Sequence, residues 1–188
     1  MKFTQKFILG RKLNMTQVFD KEGLVQPVTM VEISPVAVTQ VRTKENDGYT
    51  AVQVSSKKGK LEVKKEFRMS EVNKKVGDSI DLSQFVEGDT VEVSAISKGK
   101  GFQGVVKRHG FGGGPRTHGQ KHSEREPGSI GGGLRNKVPK KMRMAGRMGS
   151  DRITVKNLKV IHIDSATNIM YILGAIPGKR GTLVEIRG

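Results

Sequence analysis

The sequence predicts a mainly β fold, an antiparallel barrel or sandwich, interrupted by one long, mostly irregular and basic insertion. Short runs rich in Val, Ile and Thr occur early and late in the 188-residue chain, and turn residues separate them. Between them, residues 98–152 hold fourteen Lys and Arg, three acidic residues and fourteen of the 24 glycines. We therefore expect strands from both ends of the chain to close one β domain around the insertion.

The predicted strands are runs in which apolar and polar residues partly alternate, so that every second side chain faces one side. They are residues 25–33, 36–41, 51–54, 90–96, 153–155, 158–163, 169–173 and 183–186. Turn signals separate several of these runs: Ser34-Pro35, Asn46-Asp47-Gly48, Glu87-Gly88-Asp89 and Pro177-Gly178. One short helical turn is predicted, at residues 81–85.

The predicted domain organisation is a discontinuous body, residues 1–97 and 153–188, and an arm, residues 98–152. The arm has a formal charge of +11 out of +16 for the whole chain. Such a composition buries too little apolar surface to offset the entropy of ordering. An arm that runs out and back, with about 27 residues in each leg, would reach at most roughly 90 Å. Its charge predicts a polyanion as the partner that orders it.

Composition also excludes several classes of function. The chain has no cysteine, which excludes disulfides, thiolate zinc sites and cysteine catalysis. No apolar run approaches the roughly 18 residues of a membrane span, and residues 1–10 are too weakly apolar for a signal peptide. We expect a cytoplasmic protein that does not enter membranes.

Three glycines in the arm, Gly99, Gly101 and Gly104, match the spacing G-x-G-x-x-G. A dinucleotide site would need a helix to begin there. Four more glycines follow within residues 105–114, so we expect no helix of useful length and no cofactor. The alternative that these three glycines predict is close approach of the backbone to phosphate groups, where a Cβ atom would clash.

Histidines His109, His118 and His122 also lie in the arm. The spacing of the last two is that of a helical zinc pair, but the context is glycine-rich and only Glu124 could be a further ligand. Hydrogen bonding to RNA, or stacking on it, is the interpretation we favour. The adjacent Ser123 does not by itself make a catalytic triad, and no P-loop occurs, so we predict neither an enzyme nor a small-molecule substrate.

Two basic clusters permit both a functional and a plain interpretation. Residues 138–149 combine cations with Met142, Met144 and Met148, as expected of a segment that threads through folded RNA, where thioethers fill gaps. The plain alternative is a solvated run of charges. Residues 57–65 form either a solvated hairpin tip or an auxiliary phosphate contact. Because only 5% of residues are aromatic, a platform for stacking bases is not predicted.

Neutralisation of phosphates is the role predicted for the cations of the arm. The candidates are Lys98, Lys100, Lys107, Arg108, Arg116, Lys121, Arg125, Lys137, Lys140, Lys141, Arg143, Arg147 and Arg152. If about ten of them displace counterions, the logarithm of affinity should fall against the logarithm of salt concentration with a slope of roughly −7 to −9. A histone-like protein that compacts any nucleic acid is a second possibility, and a nucleotide-dependent enzyme is a third.

Ordered blocks of the sequence resemble ribosomal protein three of the large subunit, in its bacterial form. The most specific block is residues 97–111, SKGKGFQGVVKRHGF. The others are residues 10–19, 46–54, 117–119, 127–131, 144–149, 152–155 and 174–178. The resemblance therefore covers the chain nearly from end to end.

This resemblance implies a β-barrel body that binds large-subunit (23S-type) rRNA near its 3′ end and supports early assembly of the subunit. It implies an arm that extends toward the peptidyl-transferase centre, with its tip within residues 127–140, and neighbouring large-subunit proteins as further partners. No catalytic residue is implied, because that chemistry belongs to the RNA. The chain departs from the family at Asn14, where glycine is usual, at Gly132, where many bacterial members have a methylatable glutamine, and in residues 133–141.

Overall fold

The computed structural model describes residues 6–58, 61–70, 72–133 and 136–188. Twelve strands, two short α-helices and one 3₁₀ turn occur in these ranges. The strands are β1 (Phe7–Phe19), β2 (Val25–Ile33), β3 (Val36–Arg42), β4 (Ala51–Lys58), β5 (Leu61–Arg68), β6 (Ser79–Ile80), β7 (Thr90–Ile96), β8 (Phe102–Gln103), β9 (Gly146–Arg147), β10 (Arg152–Asp164), β11 (Ile169–Leu173) and β12 (Leu183–Arg187). The helices are α1 (Lys44–Asp47) and α2 (Val105–His109), and the 3₁₀ turn is Leu82–Gln84, where the sequence predicts one.

Six strands close into an antiparallel barrel in the order β1-β12-β7-β10-β11-β2. This confirms the predicted barrel body, with strands from both ends of the chain. Alternate residues of these strands point inward and form the barrel core, since side chains on a strand alternate between its faces. Its fully buried members include Ile8, Val31, Val93, Ile172 and Ile186.

A second, four-stranded sheet has the order β5-β4-β3-β6 and was not predicted. Its core contains Phe7 and Leu9 from β1 together with Val54 and Phe67 from the sheet. The first residues of β1 are therefore buried on both faces, with Ile8 in the barrel core and its two neighbours in the second core. The rings of Phe7 and Phe67 stack with their centroids 4.5 Å apart.

One long strand, β10, replaces the two strands predicted at residues 153–155 and 158–163. Its pairing with β7 shifts register between Val155 and Leu158, which marks a β-bulge. Asn157 lies in the bulge with φ +58°, a left-handed conformation that asparagine tolerates better than most residues. The bulge interrupts the alternation of the sequence without ending the strand.

The chain divides into two compact units, Met1–Ser97 with Arg152–Gly188, and Lys98–Asp151. We call the first the body and the second the cationic unit. In the cationic unit only β8, α2 and β9 are regular among the described residues. Within those same described ranges, no helix combines the length and apolar character needed to cross a membrane.

Helix α2 follows the G-x-G-x-x-G spacing but has only five residues, in agreement with the expectation that no helix of useful length begins there. Its five residues, Val-Val-Lys-Arg-His, contain no glycine, and Val105 is buried. Gly104 precedes the helix in an extended conformation, and Gly110 ends it with φ +74°. Gly104 and Gly110 thus bound the helix and keep it short.

Candidate nucleic-acid interface

Backbone hydrogen bonds hold the two legs of the cationic unit together near residues 100–103 and 146–148. Strand β8 pairs with β9, so that Phe102 lies opposite Arg147. Beside this pair, the amide of Lys100 donates to the carbonyl of Met148 at 2.9 Å, and the amide of Met148 donates to Gly101 at 2.9 Å. The outgoing and returning legs thus form a short antiparallel ladder that fixes their backbone register.

Side chains of α2 make a second connection between the legs. The Nη1 atom of Arg108 donates to the carbonyl of Met144 at 2.7 Å, and Nε2 of His109 lies 3.0 Å from the same oxygen. A Cβ atom at Gly146 would lie 2.6 Å from Nη1 of Arg108, so glycine gives the guanidinium its space. Both Arg108 and His109, predicted as RNA contacts, here serve also to bind one leg to the other.

A further set of contacts, within the outgoing leg, surrounds Gly113, whose backbone has φ +72°. A Cβ atom there would lie 2.2 Å from the carbonyl oxygen of Glu124, which only glycine avoids. The next amide, that of Gly114, donates to the same oxygen at 2.9 Å. Arg116 donates from Nε to the carboxylate of Glu124 at 2.7 Å, although 79% of the Arg116 side chain remains exposed.

The glycines predicted to admit phosphates differ in their surroundings. A Cβ atom at Gly99 would lie 2.9 Å from Oγ of Ser150, so this glycine serves contact between the legs. Gly101 has φ +68°, a conformation that itself favours glycine, and the space around it is open. Gly104 has no atom within 4 Å of the position that a Cβ would occupy. Open space at Gly101 and Gly104 is compatible with close approach of a ligand.

Most predicted phosphate contacts are exposed cations. Exposed side chains are Lys98, Lys100, Lys107, Arg116, Lys121, Arg125, Lys137, Lys140, Lys141, Arg143 and Arg147. Residues 98–151 contain thirteen Lys and Arg but only three acidic residues, Glu124, Glu126 and Asp151. The cationic unit therefore cannot neutralise more than a small part of its charge internally.

The histidines His118 and His122 are both exposed, and His118 has φ +59°. Among the described residues, no three His, Asp or Glu side chains lie close enough to hold a metal ion. Of the three methionines, Met144 is exposed, whereas Met142 and Met148 are partly buried. Part of the predicted arm tip, residues 134 and 135, lies outside the described residues.

Arg152, predicted as the last cation of the arm, is the first residue of β10 and belongs to the body. Its Nη2 atom donates to Oε2 of Glu185, a carboxylate that is only 8% exposed. Lys65 binds the other carboxylate oxygen, Oε1, at 3.2 Å, and Nη2 of Arg187 approaches Oε2 at 3.8 Å. Arg152 thus satisfies a buried charge of the body, and we leave it out of the contact set proposed below.

The second basic cluster, residues 57–65, lies on the hairpin of β4 and β5. Its tip, residues 59 and 60, is outside the described residues. Within the hairpin, Lys64 is exposed while Lys65 is engaged by Glu185. The prediction of an auxiliary phosphate contact remains open for this cluster.

One exposed aromatic residue was missed by sequence reasoning. Phe102, on β8, is 76% exposed, the largest exposed fraction of any large apolar side chain in the described residues. The low aromatic content argues against a platform of several stacking rings, but it does not exclude a contact made by a single ring. The available signal was a lone phenylalanine in a segment of glycines and lysines, where no apolar partner could bury it.

These features define a class of protein, a β-barrel body that carries a separate and strongly cationic internal unit. The family model of Ribosomal protein L3 matches residues 49–169 of the chain. The chain is 44% identical over 201 aligned residues to the large ribosomal subunit protein uL3 of Herpetosiphon aurantiacus, covering 95% of this chain and 94% of that protein. It is 43% identical to uL3 of Streptococcus pyogenes, covering 97% and 96% of the two chains. The chain belongs to the ribosomal protein L3 family.

Proposed function

We propose that this protein binds large-subunit rRNA through its cationic unit, residues 98–151. As a member of the ribosomal protein L3 family, it is a structural constituent of the large ribosomal subunit rather than an enzyme, and it acts in the cytoplasm within the ribosome. Ribosomal RNA and other ribosomal proteins are accordingly its partners. The proposal concerns which part of the chain meets the RNA and how it does so.

The surplus charge of the cationic unit carries this proposal. Its thirteen cations exceed its acidic residues by ten, and the cations are mostly exposed on legs that hydrogen bonds hold together. Without a partner these charges repel one another, and a phosphate backbone removes that repulsion while it releases condensed counterions. Lys98, Lys100 and Lys107 on one leg, and Lys140, Lys141, Arg143 and Arg147 on the other, are the proposed phosphate contacts, with Lys121, Arg125 and Lys137 between them.

The finer features implied by the family are part of the same proposal. We infer that the body binds near the 3′ end of the rRNA and supports early assembly of the subunit, and that the cationic unit extends toward the peptidyl-transferase centre. Support comes from the near end-to-end likeness to bacterial uL3 proteins. A protein with this role needs no catalytic group of its own.

Replacement of Lys140, Lys141 and Arg143 by Ala tests the phosphate contacts. The slope of log affinity for a large-subunit rRNA transcript against log salt should become shallower by about two to three, because each lost contact removes about 0.7 to 0.9 from it. The charge-preserving triple variant, with Lys140→Arg, Lys141→Arg and Arg143→Lys, is the control and should keep the wild-type slope. An unchanged slope in the Ala variant would refute phosphate contact at these positions.

Competition with DNA separates this proposal from a histone-like function. A ribosomal protein should prefer the large-subunit transcript over duplex DNA of equal length at moderate salt, and should sediment with the large-subunit peak after a moderate salt wash. Equal affinity for both polymers, with the protein found only in light fractions, would favour general compaction of nucleic acid instead.

A further inference from the structure

The side chain of Phe102 is exposed to solvent, whereas an aromatic residue of a core is buried. Although it is a large apolar ring, 76% of it is exposed. Among the described residues, the rings that contact another ring or a cation are those of Phe7, Phe67, Phe111, Tyr49, Tyr171 and two histidines, and Phe102 is absent from them. Most of the Phe102 side chain is therefore accessible to a partner.

The backbone beneath Phe102 is well fixed, which distinguishes it from a ring at the end of a loose loop. Strand β8 is paired with β9, and hydrogen bonds between Lys100, Gly101 and Met148 extend the ladder on one side. The side-chain amide of Gln103 also donates to the carbonyl of Lys100. A ring presented from such a ladder loses little conformational entropy when a ligand covers it.

The surroundings of Phe102 suit a planar, negatively charged polymer. Arg147 lies directly opposite in the ladder, so both side chains project from the same face of the sheet. Gly101 and Gly104 flank the strand, and open space surrounds the position that a Cβ atom would occupy at each. A flat group can thus approach the ring while a neighbouring phosphate meets the guanidinium of Arg147.

We propose that Phe102 stacks on an unpaired nucleobase of the rRNA while Arg147 neutralises a phosphate beside that base. The inference rests on the proposed function and adds a contact of a different physical kind. Stacking of a base on an aromatic side chain needs no particular base, since every base has a π face. It also persists at salt concentrations that weaken phosphate contacts.

A nucleobase fits this position better than an apolar protein surface does. Residues 98–111 contain four Lys and Arg and no acidic residue, and an apolar pocket that enclosed Phe102 would have to desolvate those cations. By contrast, Phe19 at the end of β1 is 64% exposed but is followed by Asp20 and Glu22, which repel phosphate. These two exposed phenylalanines make a matched pair for experiment.

The test measures affinity for a large-subunit rRNA transcript over a range of salt concentrations, using the full chain and four variants. Phe102→Ala should weaken binding roughly tenfold at every salt concentration without a change of slope. Phe102→Tyr keeps the ring and should bind within about twofold of wild type, whereas Phe102→Leu keeps only apolar volume and should resemble the Ala variant. Phe19→Ala should bind like wild type. Thermal unfolding of each variant shows that it is folded.

Ultraviolet cross-linking supplies a second readout, because irradiation can join a base directly to an aromatic ring that is in contact with it. The tryptic peptide of residues 101–107 should carry a nucleotide adduct that is lost in Phe102→Ala. Wild-type affinity in Phe102→Ala or in Phe102→Leu, or a changed slope in Phe102→Ala, would overturn the stacking contact while the proposed function stands. Absence of salt-dependent rRNA binding by the wild-type protein would instead remove the proposed function, and this inference with it.

Discussion

Phe67 in the body and Phe102 in the cationic unit show how differently the two units use the same residue type. The Phe67 ring is fully buried, stacks on Phe7 and has the guanidinium carbon of Arg187 5.1 Å from its centroid. The Phe102 ring is mostly exposed. Charge differs in the same way, since 134 residues of the body carry a net +6 and 54 residues of the cationic unit carry +10. The body is thus stabilised by its own contacts, and the cationic unit is suited to contacts with a partner.

The largest effect expected from this comparison is that of Phe67→Ala. Removal of a fully buried phenylalanine side chain leaves a cavity and should lower the free energy of unfolding by about 3–5 kcal/mol. The same change at Phe102 should alter it by less than about 0.5 kcal/mol, because that ring is exposed. Urea denaturation of both variants checks the difference. Equal destabilisation would show that Phe102 is part of a core.

Replacement of residues 98–150 by Asn-Gly should leave a cooperatively folding body. Ile96 and Arg152 are paired neighbours in β7 and β10, so a short turn can connect the strands at this point. A shorter loop costs less entropy to close, and the body should gain up to about 2 kcal/mol of stability. Calorimetry measures the transition. A broad or absent transition would show that the body depends on the cationic unit to fold.

Replacement of Arg152 and of Arg147 by Ala should have different effects: the first on the stability of the body, the second on the salt dependence of rRNA binding. Arg152→Ala leaves the buried carboxylate of Glu185 with fewer donors and should cost about 1 kcal/mol of body stability, with no change in the salt slope of rRNA binding. Arg147→Ala should make the slope shallower by about 0.7 to 0.9 and leave stability unchanged. The reverse result would place the phosphate contact at Arg152.

The smallest expected effect is a loss of body stability in acid. Hydrogen bonds from Lys6 at 2.7 Å and from the amide of Val86 outweigh burial and hold the pKa of Asp89 below its ordinary value. Burial opposes ionisation of Glu66, but hydrogen bonds from Arg42, Tyr49 and Gln53 outweigh it and lower the pKa of Glu66.

Because both pKa values are lower in the folded state, their contribution is complete above the ordinary value of about 4 and is lost as pH falls through the folded value. Urea midpoints measured from about pH 5 down to about pH 2 should fall in the wild type and fall less steeply in Asp89→Asn. An identical pH profile in the variant would show that Asp89 does not contribute.

Sequence reasoning succeeded where apolar residues alternate in the absence of strong charge. Strands β2, β7 and β11 were predicted with the bounds that the structure has, because β2 and β7 carry Val, Ile or Thr at intervals of two and β11 is a short run of apolar, β-favouring residues. Strand β1 was missed, since Arg11, Lys12 and Asn14 interrupt its apolar pattern after Gly10. Strand β5, with the sequence LEVKKEFR, was not predicted, and its first residues fell in the basic cluster 57–65 that was interpreted as a hairpin tip or a phosphate contact. Its Phe67 becomes apolar core only because the second sheet packs on β1, which local pattern does not reveal.

The site was partly predictable for a similar reason. Surplus charge and glycine content are visible without a structure, and they predict an arm at residues 98–152, one residue longer than the cationic unit. Pairing between the legs depends on backbone carbonyl groups such as that of Met144. Every residue has such a carbonyl group, so the sequence does not show which one will accept a hydrogen bond. Without that pairing, the exposure of Phe102 and its place opposite Arg147 could not be foreseen.

Strand β1 pairs with β12, so that Phe7 lies opposite Arg187. During translation the ribosome makes β1 early and β12 late, and the barrel cannot close until the late strand has emerged. Until then, the apolar side chains of Phe7, Ile8 and Leu9, on the two faces of β1, lack part of their packing partners and are exposed to other chains. A protein built in this way depends on rapid capture of its first strand after synthesis, and its yield in the cell should be more sensitive to chaperone supply than its final stability suggests.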